Sequence, residues 1–167
     1  VSLASVRAFF AHHAPDIEIL ETEGSSATVT LAAEAFGVEP ARIAKTLSLR
    51  LGERVVLLVT RGDARLDNRK TKAAFGTKPR MLDLDEVAAI TGHPVGGVCP
   101  FGLLSPLQIY CDVSLKAFDE VVPAAGSTQS AVRISPERMA ALTQAEWVDV
   151  CQEAPAQRAE QAAVEPA

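Results

Sequence analysis

The sequence predicts an α+β fold: a mixed, barrel-like β-sheet surrounded by helices, in a single domain. Three observations carry the prediction. About six or seven short runs alternate apolar and polar residues with the period of a strand. Helical stretches interrupt these runs without strict β-α-β alternation. The chain has 167 residues, 48% hydrophobic and 22% charged, which suits one globular domain with a real core.

Taken in order, Ser2 caps a helix to about His13 with Leu3, Val6, Phe9 and Phe10 on its buried face, and Pro15 ends it. Residues 17–21 alternate as a short strand and 22–27 form a polar loop. Thr28 or Thr30 caps a second helix, residues 31–36, stopped by Gly37. Pro40 opens a helical turn. Residues 45–51, Lys-Thr-Leu-Ser-Leu-Arg-Leu, are the cleanest strand, and the apolar run 54–60 pairs with it as a hairpin. Asp67 caps a helix over 68–75 closed by Gly76, and Asp83 caps another over 84–91 ended by Gly92. Residues 107–112 form a strand, and 115–120 one or two helical turns. Residues 121–125 and 131–134 are strands across a polar loop, and 146–150 a last strand around Trp147. Between these, Ser135-Pro136 starts a helix through Leu142. The domain is expected to span 1–153. The Ala-, Gln-, Glu- and Pro-rich stretch 154–167 has almost nothing to bury and is expected to be a disordered tail.

Composition narrows the function classes. No apolar run approaches the roughly 20 residues that span a bilayer, and residues 1–15 lack the pattern of a signal peptide, so a cytoplasmic protein without membrane partners is the expectation. The three cysteines, Cys99, Cys111 and Cys151, are widely spaced, and the three histidines form no ligand set; neither a disulfide nor a metal site is expected, and no cofactor. Net charge is −5, but residues 61–80 hold seven basic side chains (Arg61, Arg65, Arg69, Lys70, Lys72, Lys78, Arg80) against Asp63 and Asp67. That patch reads either as a solvated helix face or as a local phosphate-selecting surface on an acidic protein.

Two features invite chemistry. Residues 92–102 contain four glycines and two prolines, with Val95, Val98 and Phe101 as apolar anchors. Such a loop is either a rigid connector or a presenter of backbone N–H groups to a ligand. Lys45 falls on the apolar face of its strand, where a lysine either snorkels from a rim or works inside a pocket. Familiar catalytic motifs are absent. Cys99, with His93 nearby, is the one tempting nucleophile, but it lacks an orienting third group and reads better as a small filler. A lysine, a backbone-rich loop and a basic patch together fit electrostatic stabilisation of an anionic centre attached to a polyanion, with no protein nucleophile.

The segments Ile43-Ala44-Lys45-Thr46-Leu47, Arg61-Gly62-Asp63-Ala64-Arg65-Leu66-Asp67 and 92–102 resemble, in order and spacing, the YbaK/prolyl-tRNA synthetase-associated (aminoacyl-tRNA editing) domain family. The resemblance covers about residues 6–150, and the chain is similar to a free-standing member. It implies an α+β domain that hydrolyses the ester of mischarged aminoacyl-tRNA, most often tRNA(Pro), as a trans-editing deacylase. By motif, Lys45 is implied to bind phosphate or ribose near the acceptor terminus. The backbone of Gly96 and Gly97 is implied to hold the substrate carbonyl or terminal adenosine. Thr46, Val98, Ala125 and Gly126 would line the substrate pocket, while Arg61, Arg65, Arg69, Lys70 and Lys72 would contact tRNA. Water, or the substrate's own hydroxyl or thiol, would attack. Partners implied are the acceptor end of aminoacyl-tRNA, with prolyl-tRNA synthetase or an elongation factor. The chain departs from the family where many relatives place proline directly before the loop glycine, since here Val95 intervenes. It departs again where the cysteinyl-specific branch has serine and aspartate, since Ala125 and Val132 stand there; this favours another small or polar amino acid. Two further readings stay open: a non-catalytic tRNA-binding relative, and a domain binding a small anionic metabolite.

Overall fold

A computed structural model describes residues 2–153. The proposed 154–167 tail lies outside the described residues. Helix α1 (Ser2–His13) is followed by β1 (Leu20–Glu21), α2 (Val29–Phe36), and a 3-10 turn at Pro40–Arg42. Then come β2 (Ile43–Leu51), β3 (Arg54–Arg61), α3 (Asn68–Phe75), β4 (Arg80–Met81) and α4 (Leu84–Thr91). The chain closes with β5 (Gln108–Asp112), a 3-10 turn (Val113–Ala117), β6 (Val122–Pro123), β7 (Ser130–Ala131), α5 (Pro136–Thr143) and β8 (Glu146–Val148). Among the described residues, no helix is long and apolar enough to cross a membrane.

Local chemistry sets the helix boundaries. The side chains of Thr28, Asp67 and Ser135 accept from the backbone N–H of Leu31, Lys70 and Arg138, satisfying first-turn donors that have no intrahelical partner. Gly37, Gly76 and Gly92 take the left-handed conformation that ends a helix. The strand expected over 17–21 shrinks to two residues, pairing Leu20 with Ala131 and Glu21 with Ser130 of β7 in a small separate sheet.

The main sheet is mixed, in the order β4-β2-β3-β5-β8, with β6 also pairing β2. It is not a barrel, which corrects the barrel-like expectation. The edge strands β4 and β8 have two and three residues and end opposite sides of the sheet without pairing. Only β2 and β3, nine and eight residues long, are substantial, too few to curl a sheet back on itself. On one face α1, α5 and the glycine loop cover Leu57, Val59, Ile109 and Cys111, with Phe10, Phe101 and Met139 filling the core. The other face carries a smaller cluster of Leu49, Leu51, Val56, Leu58, Tyr110 and Val150.

The second edge of β2 is interrupted. β6 pairs at Ile43 and Ala44, and β4 pairs at Leu49 and Arg50. Among the described residues no strand covers the stretch between. Leu82 N–H donates to the Ser48 carbonyl from this side, which places the main-chain groups of the even-numbered residues of β2 on that edge. The N–H and C=O of Thr46 therefore face the gap.

Candidate active site

A cavity of about 240 Å³ opens at this gap. Its floor is β2 with Thr46 and Ser48, one wall is Ser26, Thr28, Ala32 and Phe36 from α2 and the loop before it, and the opposite wall is Leu82 and Val87. Val95, Gly96 and Val98 of the glycine loop close a third side, and Ala124, Ser130 and Ala131 a fourth. Its lining includes Met81, Leu84 and Val95, exposed hydrophobic side chains at 60%, 72% and 49%.

The glycines of the loop are explained by close packing. Gly96 has φ +87°, and a Cβ there would lie 2.8 Å from Ala27 Cβ; one on Gly97 would lie 2.8–2.9 Å from the Ser127 main chain. The loop is thus wedged between segments 22–28 and 126–129. Those two segments are tied to each other by Ser26 N–H to the Thr128 carbonyl (2.6 Å) and Thr22 N–H to the Gln129 carbonyl (2.9 Å). Gly97 N–H donates to the Pro94 carbonyl at 2.9 Å, so it is spent inside the loop, whereas the N–H groups of Gly96 and Val98 have no partner among the described residues. Val95 N–H is likewise without a partner among the described residues, and Val95, Gly96 and Val98 are the loop residues that line the cavity.

His93 is a fully buried staple for the same loop. Its Nε2–H donates to the Phe101 carbonyl at 2.7 Å, which leaves Nδ1 to accept from the Ser2 hydroxyl at 2.5 Å. Burial lowers its pKa, opposed by the bond to Phe101, and keeps the ring neutral. Cys99 lies 3.5 Å from His93 Nε2, yet it is fully buried and desolvation pushes its thiol up to about 12. It is a core residue with negligible thiolate at neutral pH.

Lys45 borders the cavity, but its ammonium is elsewhere. Cross-strand partners share a face: Lys45 lies opposite Thr60 and Leu47 opposite Leu58, whereas Thr46 lies opposite Val59. Val59 belongs with Cys99 and Phe101 of the glycine loop, and Leu58 with the cluster on the reverse face. The Lys45 side chain thus leaves the sheet away from the glycine loop and donates to the Ala64 carbonyl at 2.6 Å. Desolvation lowers its pKa, and neighbouring Asp63 opposes that shift.

The remaining residues implied by the resemblance divide similarly. Ala125 and Gly126 do not line the cavity. Ala125 is fully buried in the main core, and Gly126 packs so tightly on α1 that a Cβ would meet the Ser2 carbonyl at 2.8 Å. Val132 is fully buried as well. In the basic patch, Arg61 pairs with Asp63 through two hydrogen bonds of 2.5 and 3.0 Å, and Lys70 bonds Asp149 and the Cys151 carbonyl. Arg65, Arg69 and Lys72 form no ion pair among the described residues. Arg61, Arg65 and Lys70 border a second, wider depression of about 560 Å³ that also holds Asp63, Asp112 and Asp149. Ser26, Phe36, Leu82 and Val87 were not foreseen, because nothing in a polar loop or an amphipathic helix marks which residues will meet across a gap in a sheet.

A model of the aminoacyl-tRNA editing domain matches residues 23–142, the span that contains the cavity, the glycine loop and Lys45. The chain belongs to this family. It is accordingly an aminoacyl-tRNA deacylase, a hydrolase of the aminoacyl-tRNA ester. Among its relatives, the uncharacterised protein YwhH of Bacillus subtilis is 47% identical over 155 residues, 92% of this chain and 99% of that one. EbsC of Enterococcus faecalis, a candidate Cys-tRNA(Pro)/Cys-tRNA(Cys) deacylase, is 30% identical over 71% of this chain and 73% of its own. A crystal structure described as a candidate trans-editing enzyme for prolyl-tRNA synthetase is 30% identical and aligns with a TM-score of 0.83 over 91% of this chain and 98% of that one. In this editing domain the cavity borders unpartnered loop N–H groups and the open main chain of Thr46, and its lining, among the described residues, holds no cysteine or histidine.

Proposed function

We propose that this chain edits in trans, hydrolysing tRNA(Pro) that carries a small or polar non-cognate amino acid. The cavity at the uncovered edge of β2 carries this reading: about 240 Å³ beside the glycine loop is room enough for an aminoacyl group. Water adds to the ester carbonyl, the bond to the ribose oxygen breaks, and that oxygen leaves as the tRNA hydroxyl while the amino acid departs as its acid. Gly96 and Val98 N–H would hold the developing oxyanion. Lys45, anchored beside Asp63 and Arg65, would meet phosphate or ribose near the acceptor end. Arg65, Arg69 and Lys72, being unpaired, would engage tRNA phosphates. The descriptions of EbsC and of the prolyl trans-editing structure support tRNA(Pro), and supply of that substrate by prolyl-tRNA synthetase or an elongation factor in the cytoplasm follows from the same reading.

A panel of mischarged tRNAs tests the proposal. At least one tRNA(Pro) ester should be hydrolysed rapidly, and its cognate prolyl ester spared. Salt-sensitive tRNA binding with no turnover on any ester would replace it with a non-catalytic RNA-binding role.

A further inference from the structure

The first turn of α1 holds the glycine loop at both of its ends. At the start, Ser2 Oγ donates to His93 Nδ1 at 2.5 Å. At the end, the Ser5 hydroxyl donates to the Gly102 carbonyl at 2.9 Å, shared with the Ser2 carbonyl at 2.8 Å. The approach is so close that a Cβ on Gly102 would lie 2.7 Å from the Ser5 carbonyl group. The His93 ring then crosses the base of the loop, with Nε2–H on the Phe101 carbonyl at 2.7 Å. Beneath it, Leu104 N–H donates to the Thr91 carbonyl at 3.0 Å. Thr91 Oγ1 accepts from His93 N–H at 3.0 Å and donates to the Val87 carbonyl of α4 at 2.7 Å. Thr91, His93 and Phe101 are fully buried. An apolar side chain could fill this space without desolvating polar groups, whereas a fully satisfied buried network fixes one geometry.

The arc between these ties carries Val95, Gly96 and Val98, the loop residues that line the cavity. Backbone donors stabilise a developing oxyanion only when fixed in place beforehand, and a displacement of about 1 Å is costly. No described residue of α1 lines the cavity, and α1 lies ahead of residues 23–142, which match the editing-domain model. We propose that Ser2 and His93 are positioning residues of the deacylase. The first turn of α1, acting through the His93 ring, holds the loop so that its free N–H groups face the ester. The proposal rests on the trans-editing reading and on the oxyanion role given there to Gly96 and Val98.

The test compares the full chain with Ser2→Ala, His93→Leu and the double variant on tRNA(Pro) charged with alanine, serine or cysteine. Residue-resolved amide exchange is measured in parallel. Ser2→Ala should lower kcat by about tenfold and leave KM within about twofold, because no tRNA contact is lost. The double variant should fall within about twofold of His93→Leu, since both substitutions break the same bond. In Ser2→Ala the bonded amides of His93, Gly97 and Leu104 should exchange at least about tenfold faster, while those of Leu57 and Leu58 in β3 stay within about twofold. Ser2→Ala alone decides the matter if His93→Leu does not fold. Faster exchange in loop and β3 alike, with kcat falling only as the folded fraction falls, would overturn the proposal. So would a wild-type kcat in Ser2→Ala, or losses that multiply in the double variant. Either of these with an active wild type leaves the trans-editing reading standing. A wild type inert on every ester overturns that reading and this proposal with it.

Discussion

The Lys45 ammonium donates to the Ala64 carbonyl at 2.6 Å, on the face of the sheet opposite the glycine loop. A half-buried lysine aimed at a loop carbonyl contributes little net stability, because its desolvation offsets the hydrogen bond. Lys45→Met should therefore shift Tm by no more than a few degrees while lowering kcat/KM for the editing substrate by at least about 100-fold. A variant that keeps full activity would show that the ammonium only braces the 62–67 loop.

Gly97→Ala places a Cβ against the Ser127 main chain, which cannot yield as a side chain can. The expected loss is about 2–3 kcal/mol in denaturant unfolding. Gly24→Ala, where nothing lies within 4 Å, is the matched control and should be neutral within about 0.5 kcal/mol. Equal stability of the two variants would refute the wedge.

Cys99, Cys111 and Cys151 are all buried, and burial raises all three thiols. Native protein should resist alkylation at all three cysteines until it is unfolded, and Cys99→Ala should retain at least about half of the deacylase activity. Rapid native labelling at Cys99 coupled to inactivation would restore it as a nucleophile.

His93 sets a pH dependence with a definite sign. Burial lowers its folded pKa below the ordinary 6.5, so the unfolded chain takes up a proton first as the solution is acidified. Stability present above 6.5 is then lost as pH falls from 6.5 towards the folded pKa. Wild-type Tm should fall between about pH 7 and pH 5. His93→Gln, less stable at neutral pH, should follow a flatter curve, and parallel curves would contradict the staple.

Arg65, Arg69 and Lys72 should act additively on tRNA. Replacing each with Gln should flatten the salt dependence of binding by about 0.7–0.9 log units per charge. KM should rise with kcat nearly unchanged. Lys70→Gln should weaken binding less, because its ammonium is already bonded to Asp149 and the Cys151 carbonyl.

Local signals in the sequence were readable at most helix ends, though Asp83 makes no side-chain cap bond and Ser2, expected as a cap, lies within α1 and bonds His93. Thr28, Asp67 and Ser135 behave as caps, Gly37, Gly76 and Gly92 as helix stops, and β2 and β3 pair as a hairpin from Leu51–Arg54 back to Ala44–Arg61. Closure of the sheet was not readable, because it depends on whether the distant, very short β4 and β8 can meet. The period-2 pattern placed Lys45 on an apolar face, but could not say that the glycine loop packs against the other face. Ser26 escaped notice for a similar reason: a serine in a polar loop becomes a buried, unpartnered hydroxyl only once Thr128 and β2 close around it.

The uncovered stretch of β2 is bounded by β6 at Ala44 and β4 at Leu49 and is overhung by the glycine loop. An opening so short and recessed cannot accept a full strand from another chain, so it escapes the self-association that exposed sheet edges invite. It can still accept one peptide-sized unit. A stable amide or ketone analogue of the ester, bearing one acceptor and one donor at strand spacing, would complete the ladder in place of the missing residues. That makes the backbone of Thr46 a starting point for inhibitor design that side-chain substitution in the enzyme could not easily evade.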